Sequence, residues 1–442
     1  MRAQHPLPHS QNRQSLKLAT PVPRQEPTVA LLTGGSDRPY VFGLTMALLS
    51  AGTALDMIAS DELDFPQFHD RPGLTILKLR GDQCHDVSFL EKARRISSYY
   101  AKLIGYTICA KPRIFHILWN NRFEFFDRTV LMLYYKLVGK DIVLTAHNVN
   151  AEKRDGKDSL INRLTLRMQY RLSDHVFVHT EKMKAELVRE FNVTCSRVTV
   201  IPFGINNSVP CSLLTSRQAR ERLQVGQQDK AILFFGRITP YKGLEYLIAA
   251  FRQISSIYDH YRLIIAGRVD RCDKYWKGIL QDIQPEVRTG NIVVRDEFVP
   301  DDETEVYFKA SDVLVLPYKN IYQSGVLFLA HSFGLPVLAA NVGSLTDDIV
   351  DGRTGFSFKA EDPIDLARTI RQYFDSDLYR NLDDRRQEIR ASARKRHSWD
   401  LVAEKTTAVY TRLLQRGSPQ IAPEPCRGEN LIRKSSDSFK FH

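Results

Sequence analysis

From Thr28 onward, short apolar runs alternate with amphipathic stretches. VALLT (Val29–Thr33) leads into a Gly-Gly turn at Gly34 and Gly35, and the next stretch places Val41, Leu44, Met46 and Leu48 in a helical pattern. Ala54–Ala59, Leu74–Leu79, Ile114–Leu118, Asp141–Ala146 and His175–His179 are further strand candidates, most of them separated by helical stretches. This alternation predicts a parallel sheet covered by helices on both faces. Residues 206–229 are rich in Ser, Gln and Arg, lack a strong apolar run, and read as an inter-domain linker. The alternation then restarts, with strand candidates at Ala231–Gly236, Arg262–Gly267, Asn291–Phe298, Val313–Pro317 and Pro336–Ala340. Ser398–Leu414 begins on a capping serine and carries Leu401, Val402, Thr406, Val409 and Leu413 at helical spacing.

The pattern therefore predicts an α/β protein of two Rossmann-like, doubly wound domains facing each other across a cleft. The expected boundaries are a disordered tail over 1–27, a first domain over 28–205, the linker over 206–229 and a second domain over 230–397. A final helix follows over 398–414, then a second disordered tail over 415–442. Sheets of this type bind ligands at the carboxyl ends of their strands, and two facing domains concentrate ligand sites between them.

Bulk properties narrow the chemistry only slightly. A chain of 442 residues is too long for one core and suits two domains. A net charge of +11 calls for an anionic partner: a nucleotide, a phospholipid surface or a nucleic acid. The sequence holds no helix-turn-helix, zinc or RNA-binding signature, so nucleic acid is not expected. Six cysteines, at 84, 109, 195, 211, 272 and 426, form no CxxC pair or metal-ligand spacing and read as reduced thiols of a cytosolic protein. No apolar run approaches the roughly 20 residues of a membrane-spanning helix. The first 27 residues have no apolar core and do not read as a secretory signal.

Two segments carry candidate chemistry. In ILFFGRITPYKGLEYLIAAF (Ile232–Phe251), a buried strand ends at Gly236, Arg237 follows, and Lys242-Gly243 leads into a helix. Two cations and free helix N–H groups at the mouth of a sheet suit a diphosphate, because the helix dipole and the cations act together. Two solvated cations beside an ordinary strand–helix turn fit this spacing equally well. In the second segment, from Val313 to Phe356, the loop YKNIYQSG leads into the apolar helix VLFLAHSF. Ser324, Gly325 and Val326 sit at its start, where backbone N–H groups suit phosphate oxygens and Gly325 permits close approach. A tight loop before a buried helix accounts for the same residues.

Taken together, the segments are more specific. FGRITPYKG, LIIAGR, SDVLVLPY, FGLPVLAANVG and DGRTGF stand in this order over Ala231–Leu414, and the chain resembles the family 4 retaining glycosyltransferases of the GT-B fold. The resemblance is weaker from Thr28 to Ile205, where Gly34-Gly35, HTEKMKAEL and VIPFGI carry it. It implies that Arg237 and Lys242 bind the diphosphate of a nucleoside-diphosphate sugar and stabilise charge on the leaving group. It implies further that Gly236, Ser324, Gly325 and Val326 line the phosphate site and that Gly34 and Gly35 let the first domain approach donor and acceptor. His147, in TAHNVN, matches the family's T-x-H position near the transferred sugar; His116, in IFHILW, is the lesser candidate, since a lone strand-end histidine is more often structural. No bound metal or other cofactor is implied beyond the nucleotide-sugar substrate.

One departure stands out. The family usually carries two glutamates eight residues apart, contacting the donor sugar and the ribose; aligned through GLPV, those positions are Ile321 and Leu329. Gln323 is then the candidate for sugar hydroxyl contacts. Asp375-Ser376-Asp377 imitates a metal-binding DxD but falls at a helix end far past the site segments, and Asp347 and Asp348 read as capping or solvated. The basic stretch Ser88–Arg113, with interleaved aromatics, suits either a solvated helix face or an anionic membrane surface, and Thr129–Gly139 reads as a buried helix. The resulting expectation is a retaining, metal-independent glycosyltransferase acting on a glycan or lipid-linked acceptor in polysaccharide or glycolipid biosynthesis. It would be cytoplasmic, with possible peripheral contact at the inner face of an anionic membrane. A GT-B protein that binds nucleotide sugar or partners without transfer is the alternative, and a nucleic-acid-binding protein the more distant one.

Overall fold

The computed structural model describes residues 28–34, 37–81, 88–121, 123–154, 156, 158–206, 209–270 and 272–415. The two expected disordered tails and Gly35 lie outside the described residues, apart from Gln415, which forms the turn after the last helix.

Among the described residues, thirteen strands form two all-parallel sheets. The first holds β1 (Val29–Leu32), β2 (Leu55–Ile58), β3 (Leu74–Leu77), β4 (Ile114–Ile117), β5 (Asp141–Thr145), β6 (His175–Val178) and β7 (Val198–Val200) in the order β3-β2-β1-β4-β5-β6-β7. The second holds β8 (Lys230–Phe235), β9 (Tyr261–Ala266), β10 (Ile292–Arg295), β11 (Val313–Leu316), β12 (Val337–Ala340) and β13 (Gly355–Phe358) in the order β10-β9-β8-β11-β12-β13. Their central strands are nearly continuous apolar runs because helices cover both faces. The strand order reverses between β1 and β4 and again between β8 and β11, and a ligand crevice belongs at the carboxyl ends of such switch points. Two strands lie outside the sequence expectations: β7 and β13 are short edge strands, three of their seven residues polar or glycine, with too little apolar signal to read alone.

Each sheet has a core on either face. The last helix, Trp399–Leu414, returns to the first domain, where Val402, Val409, Tyr410 and Leu413 share a core with β1 and with helix Arg38–Ser50. Ser398 caps it by accepting from the Leu401 N–H. Trp399 anchors it: the indole donates to the Ile205 carbonyl at 2.8 Å and fills space left by Gly43 and Gly204, where a β-carbon would lie 2.1 and 2.4 Å from the ring.

The expected linker over 206–229 is corrected in its second half. Thr215 caps a helix over Ser216–Arg222 with a reciprocal Gln218 bond, and Ala219 and Arg220 are buried against the second domain. Arg220 makes two bonds to Asp312, at 2.7 and 2.9 Å, and donates to three backbone carbonyls. Polar composition concealed this because the helix itself buries only Ala219 and Arg220, with Val225 just beyond it joining the same core.

No described helix is long and apolar enough to cross a membrane.

Candidate active site

A cleft of about 680 Å³ lies between the domains. Its walls come from segments just past the carboxyl ends of β1 (Asp37, Tyr40), β4 (Trp119), β5 (His147, Asn148), β8 (Gly236, Arg237, Lys242) and β11 (Tyr318, Gln323, Ser324). The switch points of both sheets therefore face one volume. Phe203 stacks on Phe328 across the domains at 5.2 Å and 11°, Lys182 pairs with Asp347 at 3.0 Å, and Tyr322 donates to Glu186 at 2.9 Å.

On the second-domain wall, Gly236 has φ +102°, and a β-carbon there would lie 2.9 Å from the Lys242 ammonium and 3.4 Å from Val326. Glycine thus brings three sequence-named residues to one point. Lys242 is buried, its ammonium 5.2 Å from the Tyr318 ring centroid, a position that partly replaces lost hydration. Arg237 is more open and pairs with Asp270 at 3.2 Å. Ser324 ends the loop, its hydroxyl 3.3 Å from that of Tyr318, and Gly325 and Val326 open the eight-residue helix Gly325–Ser332 into the cleft. The helix after Lys242 is a different matter. Residues 240–242 form a single 3-10 turn, and neither Gly243 nor Leu244 lines the cleft. The helix start aimed at the cleft is that of Gly325–Ser332, not the one expected after Lys242-Gly243.

Ile321 and Leu329 both line the cleft and both are buried, so the wall where the family usually places acids is apolar here. Between them, the Gln323 amide donates to Asp348 at 3.0 Å. A carboxylate only accepts, which fixes the amide with Oε1 turned away, and Oε1 is buried without a hydrogen-bond partner. Asp348, expected to be solvated or capping, is buried and also lies 3.3 Å from His397. These contacts hold its carboxyl below the usual carboxylate range although burial alone would raise it. Asp375 and Asp377 of the DxD sequence flank the capping Ser376 away from the cleft. Among the described residues no three His, Cys, Asp or Glu side chains converge as a metal site.

On the first-domain wall, His147 stacks on Trp119 at 4.1 Å and 5°, and its Nδ1 lies 2.9 Å from His179 Nε2. His179 Nδ1 faces the Ile201 carbonyl at 3.4 Å. Burial pushes His179 down to about 4 and His147 well below the ordinary histidine value, so both are neutral. The Ile201 carbonyl only accepts, so His179 carries its proton on Nδ1 and accepts the Nδ1 proton of His147. His147 Nε2 is left as a bare acceptor, and it is buried without a partner. Each wall thus holds one buried acceptor without a partner, His147 Nε2 and Gln323 Oε1.

His116 stands apart from the cleft. Its nitrogens meet Tyr410 at 2.5 Å and Thr145 at 2.7 Å, tying β4 and β5 to the returning helix. Gly34 is turned toward Trp119 rather than the open cleft: a β-carbon there would lie 2.5 Å from the Trp119 carbonyl oxygen. Its bare α-carbon lets the Trp119 backbone approach closely. Sequence reasoning missed Asp37, Glu124, Trp119 and Trp399, all lining the cleft. Asp37 had a readable signal, an N-cap aspartate before a proline at a helix start, with its carboxylate accepting from the Tyr40 N–H. Asp37 and Glu124 supply the cleft with carboxylates, both from the first domain.

The family model described as Glycosyltransferase Family 4 matches residues 39–209, and that described as Glycosyl transferases group 1 matches residues 229–376. A D-inositol 3-phosphate glycosyltransferase of Streptomyces avermitilis is 29% identical over 247 residues, 55% of this chain and 53% of that enzyme. The match thus spans about half the length of that relative. An uncharacterized glycosyltransferase of Methanocaldococcus jannaschii is 27% identical, covering 83% of this chain and 92% of its own. Among solved structures, sucrose-phosphate synthase from Thermosynechococcus elongatus aligns with a TM-score of 0.70 at 20% identity, covering 89% of this chain and all of the other. Anabaena HepE in complex with UDP and glucose aligns at 0.67 and 15% identity, covering 87% of this chain and all of the other. The two domain matches, one for each sheet, and the shared architecture establish that the chain belongs to the family 4 glycosyltransferases of the GT-B fold.

Proposed function

We propose that this protein transfers a sugar from a nucleoside-diphosphate sugar to an acceptor hydroxyl with retention of anomeric configuration. The supporting observation is the convergence of Gly236, the Lys242 ammonium and Val326 beside the start of helix Gly325–Ser332. Lys242, Arg237 and the N–H groups of Gly325 and Val326 hold the diphosphate. They lower the barrier because negative charge grows on the leaving nucleoside diphosphate as the glycosidic bond breaks. His147 Nε2 and Gln323 Oε1 accept from sugar hydroxyls. The acceptor occupies the first-domain side, near Asp37 and Glu124, and its hydroxyl attacks the face that the diphosphate leaves, with a phosphate oxygen taking the proton. Retention and independence of a metal rest on the family resemblance, as does a cytoplasmic glycan or lipid-linked acceptor.

The apolar wall at Ile321 and Leu329 favours one other reading, a GT-B protein that binds nucleotide sugars without transfer. A panel of UDP-, GDP- and ADP-sugars, assayed for binding and for hydrolysis, separates the two. Turnover of a donor supports transfer, binding without turnover on any acceptor supports the second reading, and absence of binding contradicts both.

A further inference from the structure

Nine of the nineteen large apolar side chains that are exposed among the described residues lie between positions 123 and 164. They belong to the helical run from Glu124 to Leu137, to the residues flanking that run, and to helix Leu160–Leu172. The two helices pack side by side, Arg128 donating to Asn162 at 2.8 Å. Their inner faces, with Leu131, Met132, Tyr135, Leu166 and Tyr170, join the first-domain core. Their outer faces are apolar as well: Leu137 is 85% exposed, Leu160 80%, Ile161 66%, Phe125 63% and Leu164 62%. A run predicted as a buried helix is thus apolar on two sides and buried on one. A helix apolar all round requires a second apolar neighbour.

The polar positions of this surface favour one partner. Helix Leu160–Leu172 contains Arg163, Arg167 and Arg171 and no acidic residue. Arg167 and Arg171 follow Leu160 and Leu164 along its exposed face. Apolar side chains beside a row of arginines match the layering of an anionic bilayer, acyl chains beneath and phosphates above. The basic helix Phe89–Cys109 suits this role less than its composition indicates, because Tyr99, Tyr100 and Leu103 face the core.

We propose that this two-helix surface seats the protein on an anionic lipid bilayer. The same helices contribute Glu124, Arg128, Leu166 and Gln169 to a side cavity of about 300 Å³ that also reaches His147. The bilayer contact therefore sits directly behind the acceptor side of the cleft, where a lipid-linked acceptor would arrive; only this last step rests on the function proposed above.

Cosedimentation of the full chain tests the surface, using vesicles of phosphatidylcholine alone and of equal parts phosphatidylcholine and phosphatidylglycerol. The wild type is expected to sediment with the mixed vesicles and weakly with the neutral ones. Leu133→Glu with Leu137→Glu should lose binding to both. Arg167→Gln with Arg171→Gln should lose the preference for anionic vesicles, more than about tenfold in partitioning. Leu213→Glu, at an exposed leucine of the segment between the domains, should bind as the wild type does. Circular dichroism confirms folding, and UDP-sugar binding unchanged in both pairs separates this test from that of the transfer reaction. Wild type remaining in the supernatant with both vesicles, or the leucine pair sedimenting like wild type, overturns the proposal. A wild-type dimer that becomes monomeric in the leucine pair, without vesicle binding, also overturns it and assigns the surface to a second copy.

Discussion

A β-carbon at position 236 would lie 2.9 Å from the Lys242 ammonium, so the bare α-carbon of Gly236 and the lysine are in direct apposition at the end of β8. Gly236 also has φ +102°, where an L side chain is strained by about 1–3 kcal/mol. Gly236→Ala is expected to shift the ammonium by several tenths of an ångström and lower kcat/KM for the donor by roughly tenfold or more. Steady-state kinetics checks this; unchanged kinetics would separate Lys242 from the diphosphate.

His147 is expected to act on the sugar and not on the nucleotide. His147→Ala removes the bare Nε2 acceptor and should lower kcat/KM by about tenfold or more, while UDP alone binds within about twofold of wild type. Calorimetric titration with UDP and with the donor separates the two effects. Equal loss for both ligands would contradict the assignment.

The buried neutral histidines set an acid limit on stability. Burial lowers His116 to about 3, His179 to about 4 and His331 to about 4, against 6.5 for an exposed histidine. Below pH 6.5 the unfolded chain binds protons at these positions and the folded chain does not. Stability from these groups is therefore complete above pH 6.5 and falls as pH drops toward 4, by about 1.4 kcal/mol per unit per histidine. Urea unfolding across pH 4.5–7.5 should show this slope, shallower by one histidine in a stably folded His331→Gln variant.

Gly204 and Trp399 define the joint between the domains and the last helix. Gly204→Ala would place a methyl group 2.4 Å from the indole and should destabilise by about 1–3 kcal/mol. Thermal unfolding reads the loss; an unaltered midpoint would mean that the indole moves aside freely.

Much of this architecture is legible in the sequence. The central strands announce themselves because two-sided burial forces apolar runs, and the last helix because Ser398 caps a periodic stretch. Gly236, Lys242, Ser324 and Val326 lie near one another in sequence blocks and come together because β8 and β11 are adjacent. What was not legible depends on contacts between distant segments. Asp348 looks solvated until Gln323 and His397 arrive from either side. The linker's helix depends on Asp312, ninety-two residues past Arg220. The exposed face of Glu124–Leu137 was hidden because an apolar run reads the same whether its neighbour is protein or not.

The measurement that tests the diphosphate site most directly is donor binding and turnover in wild type and Lys242→Ala. Wild type should bind and turn over at least one nucleoside-diphosphate sugar, and Lys242→Ala should lose about a hundredfold or more in turnover while keeping the wild-type circular dichroism spectrum. Wild-type turnover in Lys242→Ala, or no binding of any nucleotide sugar by the wild type, would contradict the account.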